Sequence, residues 1–416
     1  MPEQLDILIR NAHLRREGSN SFQIGLAEGK IVAVDKMINA KARVEIDARF
    51  NLVTESFINP HLHLCKVYTM DMMDEQALKA YHGSQGTMGS AMTSIELAMK
   101  VKERYDATWI IRNVRRAVAH AALYGCTHMR VFADVDNKAR LEGVKALLQA
   151  RQEFMDIVEL QVVAFAQDGL IREPGAEDLL HQAMELGADV VGGIPWIEYT
   201  DEDMRSHVRI IFDIARQYNK PVSMLVDDAG DPGLRTLEMM ALETIRCGWQ
   251  GRSLAHHARA AATYPEPYLA KLIHMVKQAE MGWSVSPFTG PMVAPLKRLH
   301  QAGVLIFIGQ DDVSDAYYGL GRNNMLECAF LSAHLLWMLS NQEMETLYDM
   351  VTVFPARGLG LSNHRLQVGA PANLVVLDQP NILEALRYHQ APSYTISHGK
   401  LVDMDQMRKV IEISEW

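Results

Sequence analysis

Cysteine is scarce in this chain. Four residues (Cys65, Cys126, Cys247, Cys328) are spread over 416 positions with no CxxC, which excludes a disulfide framework and a thiolate zinc site. No run of about 18 apolar residues occurs, so no membrane span is expected. Positive charge is also short. Against 51 Asp+Glu stand 41 Lys+Arg, a formal charge of −10, so the basic footprint needed for nucleic acid or an anionic bilayer is missing. The first residues, MPEQLDILIRNAHLRREG, bring acidic groups early and no apolar h-region, which reads against a signal peptide and makes a cytoplasmic protein the expectation. What remains is ordinary globular composition, 48% hydrophobic and 22% charged, enough for a large core. Histidine is the exception, with 16 residues, several of them clustered.

The two ends of the chain share one grammar. Leu5–Ile9, Phe22–Leu26, the turn Glu28-Gly29-Lys30, Ile31–Val34 and Val44–Ile46 read as short strands and turns. Ala372–Leu377, Tyr394–Ile396, the turn His398-Gly399-Lys400 and Leu401-Val402 repeat the pattern. Neither end alone has enough strands to bury a core. Residues 1–56 and 366–416 are therefore expected to combine into one small β-sandwich.

The middle, 57–365, alternates strand and helix. Strand candidates are Leu52–Leu64, Thr127–Val135, Val158–Gln167, Asp189–Trp196, Pro221–Asp228, Ser253–His257, Gly282–Phe288 and Val304–Asp311. Helical stretches fall between them and after the last. One carries Met204, Val208, Ile211, Phe212 and Ala215 on a single face. Eight such units point to an α/β fold, a (β/α)8 TIM barrel. An open doubly wound sheet would want a glycine-rich phosphate turn after its first strand, and none is there.

Barrel enzymes carry their chemistry at the C-terminal ends of the strands, where this chain keeps its unusual residues. The first candidate ends in Pro60-His61-Leu62-His63, and positions i and i+2 of a strand project to one side, so both imidazoles can grip one metal ion. Surface or core histidines are the bland alternative. The sixth ends in His256-His257, of which at most one should face the mouth. The eighth ends in Gln310-Asp311-Asp312, a source of a hard oxygen ligand or base, or of a helix cap. The fifth ends in Asp227-Asp228. The third ends in Gln167-Asp168, where an amide could pair with a heterocyclic lactam. Lys66 could reach this mouth or lie in solvent. Tyr68–Thr93 reads as a lid or as surface packing, and the apolar helix Asn324–Leu339 as buried against the barrel or in a subunit contact.

PHLHL, AFAQDG, GADVVGGIP, GRSLAHH, GQDDVSDAYYGLGRNNML and GAPANLVVLD, in this order and flanked by the split sandwich, resemble the amidohydrolase superfamily and within it the cytosine deaminase group, from about residue 5 to 403. The resemblance implies one divalent metal held by the HxH pair, a fifth-strand His and an eighth-strand Asp. A fifth-strand Glu and a sixth-strand His then move protons, and a third-strand Gln reads the ring. Position by position this assigns His61, His63 and Asp311 as ligands, His257 as the sixth-strand His and Gln167 as the reader. The family's fifth-strand His-x-Asp-Glu is here Leu225-Val226-Asp227-Asp228, so Leu225 removes a ligand and Asp228 is one methylene short. The family's His before the final Asp is Gln310.

The implied function is metal-dependent hydrolysis of a non-peptide C–N bond in a small nitrogen heterocycle, by a deaminase of cyclic amidines or a cyclic amidase. Zinc is the first expectation for the metal, with iron or manganese as alternatives. Asp311 would serve as base, His257 would hold the tetrahedral centre, and Asp228 would supply protons. Gln167, Trp196 and Asp227 would contact substrate, while Gln310, Trp196 and Phe132 reshape the pocket. The partner is a small heterocycle, with no nucleic acid and no membrane, and the apolar 324–339 helix allows a homo-oligomer. The alternative, prompted by Leu225, is a metal-poor, non-catalytic descendant that binds a heterocycle. An editing deaminase is disfavoured by the acidic charge and the missing H-x-E…P-C-x-x-C signature.

Overall fold

Four short strands within residues 4–47 build a four-stranded sheet. Strands β1 (Gln4–His13), β2 (Ser21–Ala27), β3 (Lys30–Asp35) and β4 (Lys41–Asp47) lie in the order β3-β2-β1-β4. In this computed structural model, residues 4–73, 75, 79, 99–290 and 292–414 are described. A second four-stranded sheet takes β5 (Val53–Glu55) from the front of the chain and β14 (Leu374–Val376), β15 (Tyr394–Ser397) and β16 (Lys400–Leu401) from the back. Ile7, Ile9, Ile24 and Leu26 of one sheet share a core with Val53, Leu374, Val376 and Ile396 of the other. The two Gly-Lys turns meet. Both glycines have positive φ (Gly29 74°, Gly399 76°), and a Cβ on Gly399 would lie 2.6 Å from the Gly29 Cα, so only glycine fits there.

Between these ends runs a barrel of eight parallel strands: β6 (Phe57–Leu62), β7 (Cys126–Asp134), β8 (Glu159–Ala166), β9 (Val190–Gly193), β10 (Val222–Val226), β11 (Ser253–His257), β12 (Gly282–Val285) and β13 (Leu305–Ile308). Nearly every residue in them is buried, as strands covered on both faces require. The helices named here are α1 (Ala107–Leu123), α2 (Glu142–Glu153), α3 (Ala176–Glu185), α4 (Asp201–Tyr218), α5 (Thr236–Arg246), α6 (Glu266–Gln278), α7 (Leu296–Gln301) and α8 (Met325–Leu335). On α4 the expected stripe is the packed face, with Val208, Ile211, Phe212 and Ala215 buried, Thr200 capping the start through the Asp203 amide, and Asn219 closing the end at φ 53°. The fold is the expected (β/α)8 barrel with a β domain beside it.

Three expectations need correction. Leu52–Leu64 is two strands: β5 serves the sandwich and β6 opens the barrel, with Ser56 between them. The chain's tail is not all sheet, because a helix over Met404–Ser414 packs on α1 and adds Met407 and Ile411 to the barrel core. The apolar helix is shorter than expected, ending at Leu335, and at and beyond that end Leu335, Trp337 and Leu339 are 58%, 74% and 44% exposed. Most of the expected lid, Tyr68–Thr93, lies outside the described residues. Among those described, no helix is long and apolar enough to cross a membrane.

Candidate active site

The barrel closes at its chemistry. The first and last strands join through a bridge between Leu62 and Asp311, with Asp311 N donating to His61 O (2.8 Å) and His63 N donating to Asp311 O (2.8 Å). Buried Asn59 braces this seam by accepting from Gln310 N (3.1 Å) and His61 N (3.2 Å). Asp311 takes φ 73° and His257 φ 61°, left-handed conformations that are costly for non-glycine residues and typical of functional sites.

The result is convergence on one oxygen. The Nε2 atoms of His61, His257 and His63 lie 2.9, 3.5 and 3.8 Å from Asp311 Oδ1. Asp311 Oδ2 accepts from Thr289 Oγ1 (2.9 Å) and has Arg259 Nη2 at 3.9 Å. Burial holds the His61 imidazole below its ordinary range against the pull of Asp311. It holds His63 well below, with help from the Lys66 charge. Both rings are therefore neutral at pH 7, with lone pairs to give. Burial alone would raise the Asp311 carboxyl, but His257 and His61 outweigh it and keep it well below the usual carboxylate range. His61, His257 and Asp311 each bring one ligand atom within 4.8 Å of the other two, and His63, Asp311 and Asp312 form an overlapping group, so the residues present fit a zinc-class divalent ion.

Leu225, at the fifth-strand position, is buried and pairs in register with His256. Both histidines of the sixth strand end lie against His61: the His256 ring is tilted to it (4.3 Å between centroids) and edge-on to Phe132 (5.0 Å), with neither His256 ring nitrogen hydrogen-bonded, while His257 is 4.9 Å from it. Phe132 and Phe165 also pack on His63, so the cluster sits in an apolar wall that strengthens electrostatic interactions.

Around this group the expected residues divide. Gln167 is buried at the end of β8, and its Oε1 accepts from Lys66 Nζ at 2.9 Å, which directs the amide's donor end elsewhere. Lys66 is not in solvent. It is buried against Asp134 (3.5 Å) and the face of Tyr317. Burial pulls its pKa down, but the charges of Asp134, Cys65, Asp312 and Asp315 raise it overall, so it stays cationic. A second buried lysine, Lys102, binds Asp136 (2.9 Å) and Asp168 (2.5 Å) behind it. Trp196 is buried beyond β9 with its Nε1 making no hydrogen bond. Asp228 is ion-paired with Arg259, which also donates to Thr289 Oγ1 (2.7 Å).

Asp227 turns the other way, at φ 45°. Its carboxylate accepts from Thr236 N (2.6 Å), Thr236 Oγ1 (2.7 Å), Leu237 N (3.2 Å) and Tyr264 OH (2.7 Å). It anchors the start of α5 through these bonds, which engage the carboxylate expected to contact substrate. Gln310 is likewise spent on structure, accepting from Asn323 N and donating to the Asp312 carbonyl. Arg259 was not anticipated. Its proximity to His257, two residues after a candidate ligand at a strand end, was the available signal.

Comparison with known proteins agrees with this geometry. The model of the amidohydrolase family matches residues 97–403. N-isopropylammelide isopropyl amidohydrolase of Pseudomonas sp. strain ADP is 27% identical over 98% of this chain and 99% of its own. A 5-methylcytosine deaminase from Klebsiella pneumoniae, solved with 5-fluorocytosine, superposes with a TM-score of 0.86 at 29% identity, covering 95% of this chain and 97% of that one. N-isopropylammelide isopropylaminohydrolase from Burkholderia multivorans superposes at 0.84 with 24% identity, covering 95% and 97%. With a barrel whose closing seam gathers three histidines on one aspartate, and with a family match across most of its length, the chain belongs to the amidohydrolase family and is a hydrolase of carbon–nitrogen bonds.

Proposed function

We propose that this chain is a cytoplasmic metal-dependent deaminase or cyclic amidase acting on a small nitrogen heterocycle, with residues 57–365 as its hydrolytic barrel. The observation that carries the reading is the convergence of His61, His63 and His257 Nε2 on Asp311 Oδ1. His61, His63 and Asp311 would hold one divalent ion, zinc before iron or manganese. When bound, such an ion lowers the pKa of water toward about 7 and polarises the carbon under attack.

The side chains supply the rest. Asp311, anionic and steadied by Thr289, takes a proton from the attacking water. His257 donates to the oxygen that becomes negative as the tetrahedral centre forms. Asp228, set by Arg259, relays to the departing nitrogen the proton that Asp311 has taken from the water. Gln167, with its oxygen end engaged by Lys66, presents an N–H donor to a ring carbonyl or ring nitrogen. Trp196 supports substrate packing. The exposed Leu335, Trp337 and Leu339 support the expectation of a homo-oligomer.

Leu225 motivates the competing reading of a metal-poor heterocycle binder. Protein stripped of metal, reloaded with zinc, manganese or iron, and offered a panel of amino-heterocycles and cyclic amides separates the two. Release of ammonia, amine or ring-opened product that vanishes in Asp311→Asn supports the enzyme. Heterocycle binding without turnover under every metal supports the binder.

A further inference from the structure

The opposite, N-terminal end of the barrel carries a second group of metal-class donors that hydrolysis does not use. His128 in β7 and Glu159 at the start of β8 face each other in register across the parallel ladder. His398 reaches them from the sandwich, where it occupies the first turn position between β15 and β16. Glu159 Oε2 lies 3.6 Å from His128 Nε2 and 4.0 Å from His398 Nε2. One donor atom from each of the three residues falls within 4.8 Å of the other two. These separations are too long for hydrogen bonds. They approach the edge of about 3.4 Å expected between ligands that sit about 2.1 Å from a tetrahedral zinc ion.

One further feature favours an ion there. His128 Nδ1 is 2.8 Å from Thr127 Oγ1, itself 2.6 Å from Ser56 Oγ. With the proton on Nδ1, the ring donates into this hydroxyl chain and turns the Nε2 lone pair toward Glu159, the arrangement that fixes metal-binding imidazoles.

We propose that His128, Glu159 and His398 form a second, structural site for a zinc-class divalent cation that pins the β15–β16 hairpin of the sandwich to the floor of the barrel. Two imidazoles and one carboxylate hold the ion, and Glu159, about half exposed, leaves the fourth position to water. The Lys400–Asp156 ion pair (3.5 Å) lies on the same hairpin-to-barrel boundary. The site does not depend on the hydrolytic reading.

The test uses full-length protein with His61→Ala and His63→Ala, so that the active site does not compete. Chelator-stripped protein is titrated with zinc against a chromophoric zinc indicator. One equivalent should bind, at least 10-fold more weakly after His398→Gln or Glu159→Gln, and zinc should raise the thermal midpoint of the parent but not of those variants. No zinc bound, or binding unchanged in both variants, overturns the proposal. Should the double variant fail to fold, the wild type is titrated instead. Two equivalents falling to one on His398→Gln support the site, and one equivalent in both proteins overturns it.

Discussion

Lys66→Met removes the cation that hydrogen-bonds the expected substrate reader. Lys66 makes a 2.9 Å hydrogen bond to Gln167 and a 3.5 Å ion pair with Asp134, all buried. Losing one partner of a buried ion pair costs about 3–5 kcal/mol. Lys102 stays 3.9 Å from the same Asp134 oxygen, which argues for the lower end, about 3 kcal/mol, seen as a thermal midpoint lower by a few degrees. The functional effect is separate. A hydrogen bond to a charged group contributes about 1.5–3 kcal/mol, so freeing the Gln167 amide should lower kcat/KM by about 10- to 150-fold. Since Gln167 reads the substrate before the reaction, most of that loss should appear in KM. Steady-state kinetics on the best substrate, beside thermal unfolding of the same preparation, separates the two effects. A variant that is less stable yet keeps kcat/KM within about twofold would show that Lys66 only supports the fold, and would refute the orientation argument.

Other outcomes follow from the same geometry. Asp228→Asn should lower kcat by about 100-fold or more with little change in KM, as loss of a proton donor does, and an unchanged kcat would remove Asp228 from the mechanism. Asp227→Ala should destabilise by about 3 kcal/mol, because four donors lose their acceptor, while Asp227→Asn should leave KM unaltered; a KM increase in the latter would restore it as a substrate contact. Burial pushes the Asp315 carboxyl up to about 6, above the roughly 3.9 of an unfolded chain. A raised carboxyl contributes stability that is present below pH 4 and lost as pH rises through 6, about 2–3 kcal/mol here. Asp315→Asn, whose side-chain oxygen can still accept from the Tyr317 and Tyr318 amides, should therefore gain on wild type as pH rises from about 4 to about 6, and parallel stability curves would contradict this.

What was legible in the sequence was local and periodic. Eight runs of Val, Ile and aromatic residues marked the strands, and the i, i+2 spacing of His61 and His63 set both on one face. What escaped depended on contacts between distant segments. Lys66 is buried because Asp134, Gln167 and Tyr317 converge on it from three other segments, which no local pattern reveals. Asp227 and Asp228 look interchangeable in the chain, and only the left-handed turn at Asp227 sends one to cap a helix and the other to Arg259. The tail helix was a missed local signal, since Met404, Met407 and Ile411 recur at helical spacing.

The central claim is that the closing seam of the barrel holds a catalytic metal without a fifth-strand ligand. An anomalous difference map from crystals of zinc-loaded enzyme tests it most directly. A peak about 2.0–2.2 Å from His61 Nε2, His63 Nε2 and an Asp311 oxygen is the result the account requires. A map with no peak at that seam, in protein whose zinc content is saturated, would contradict it.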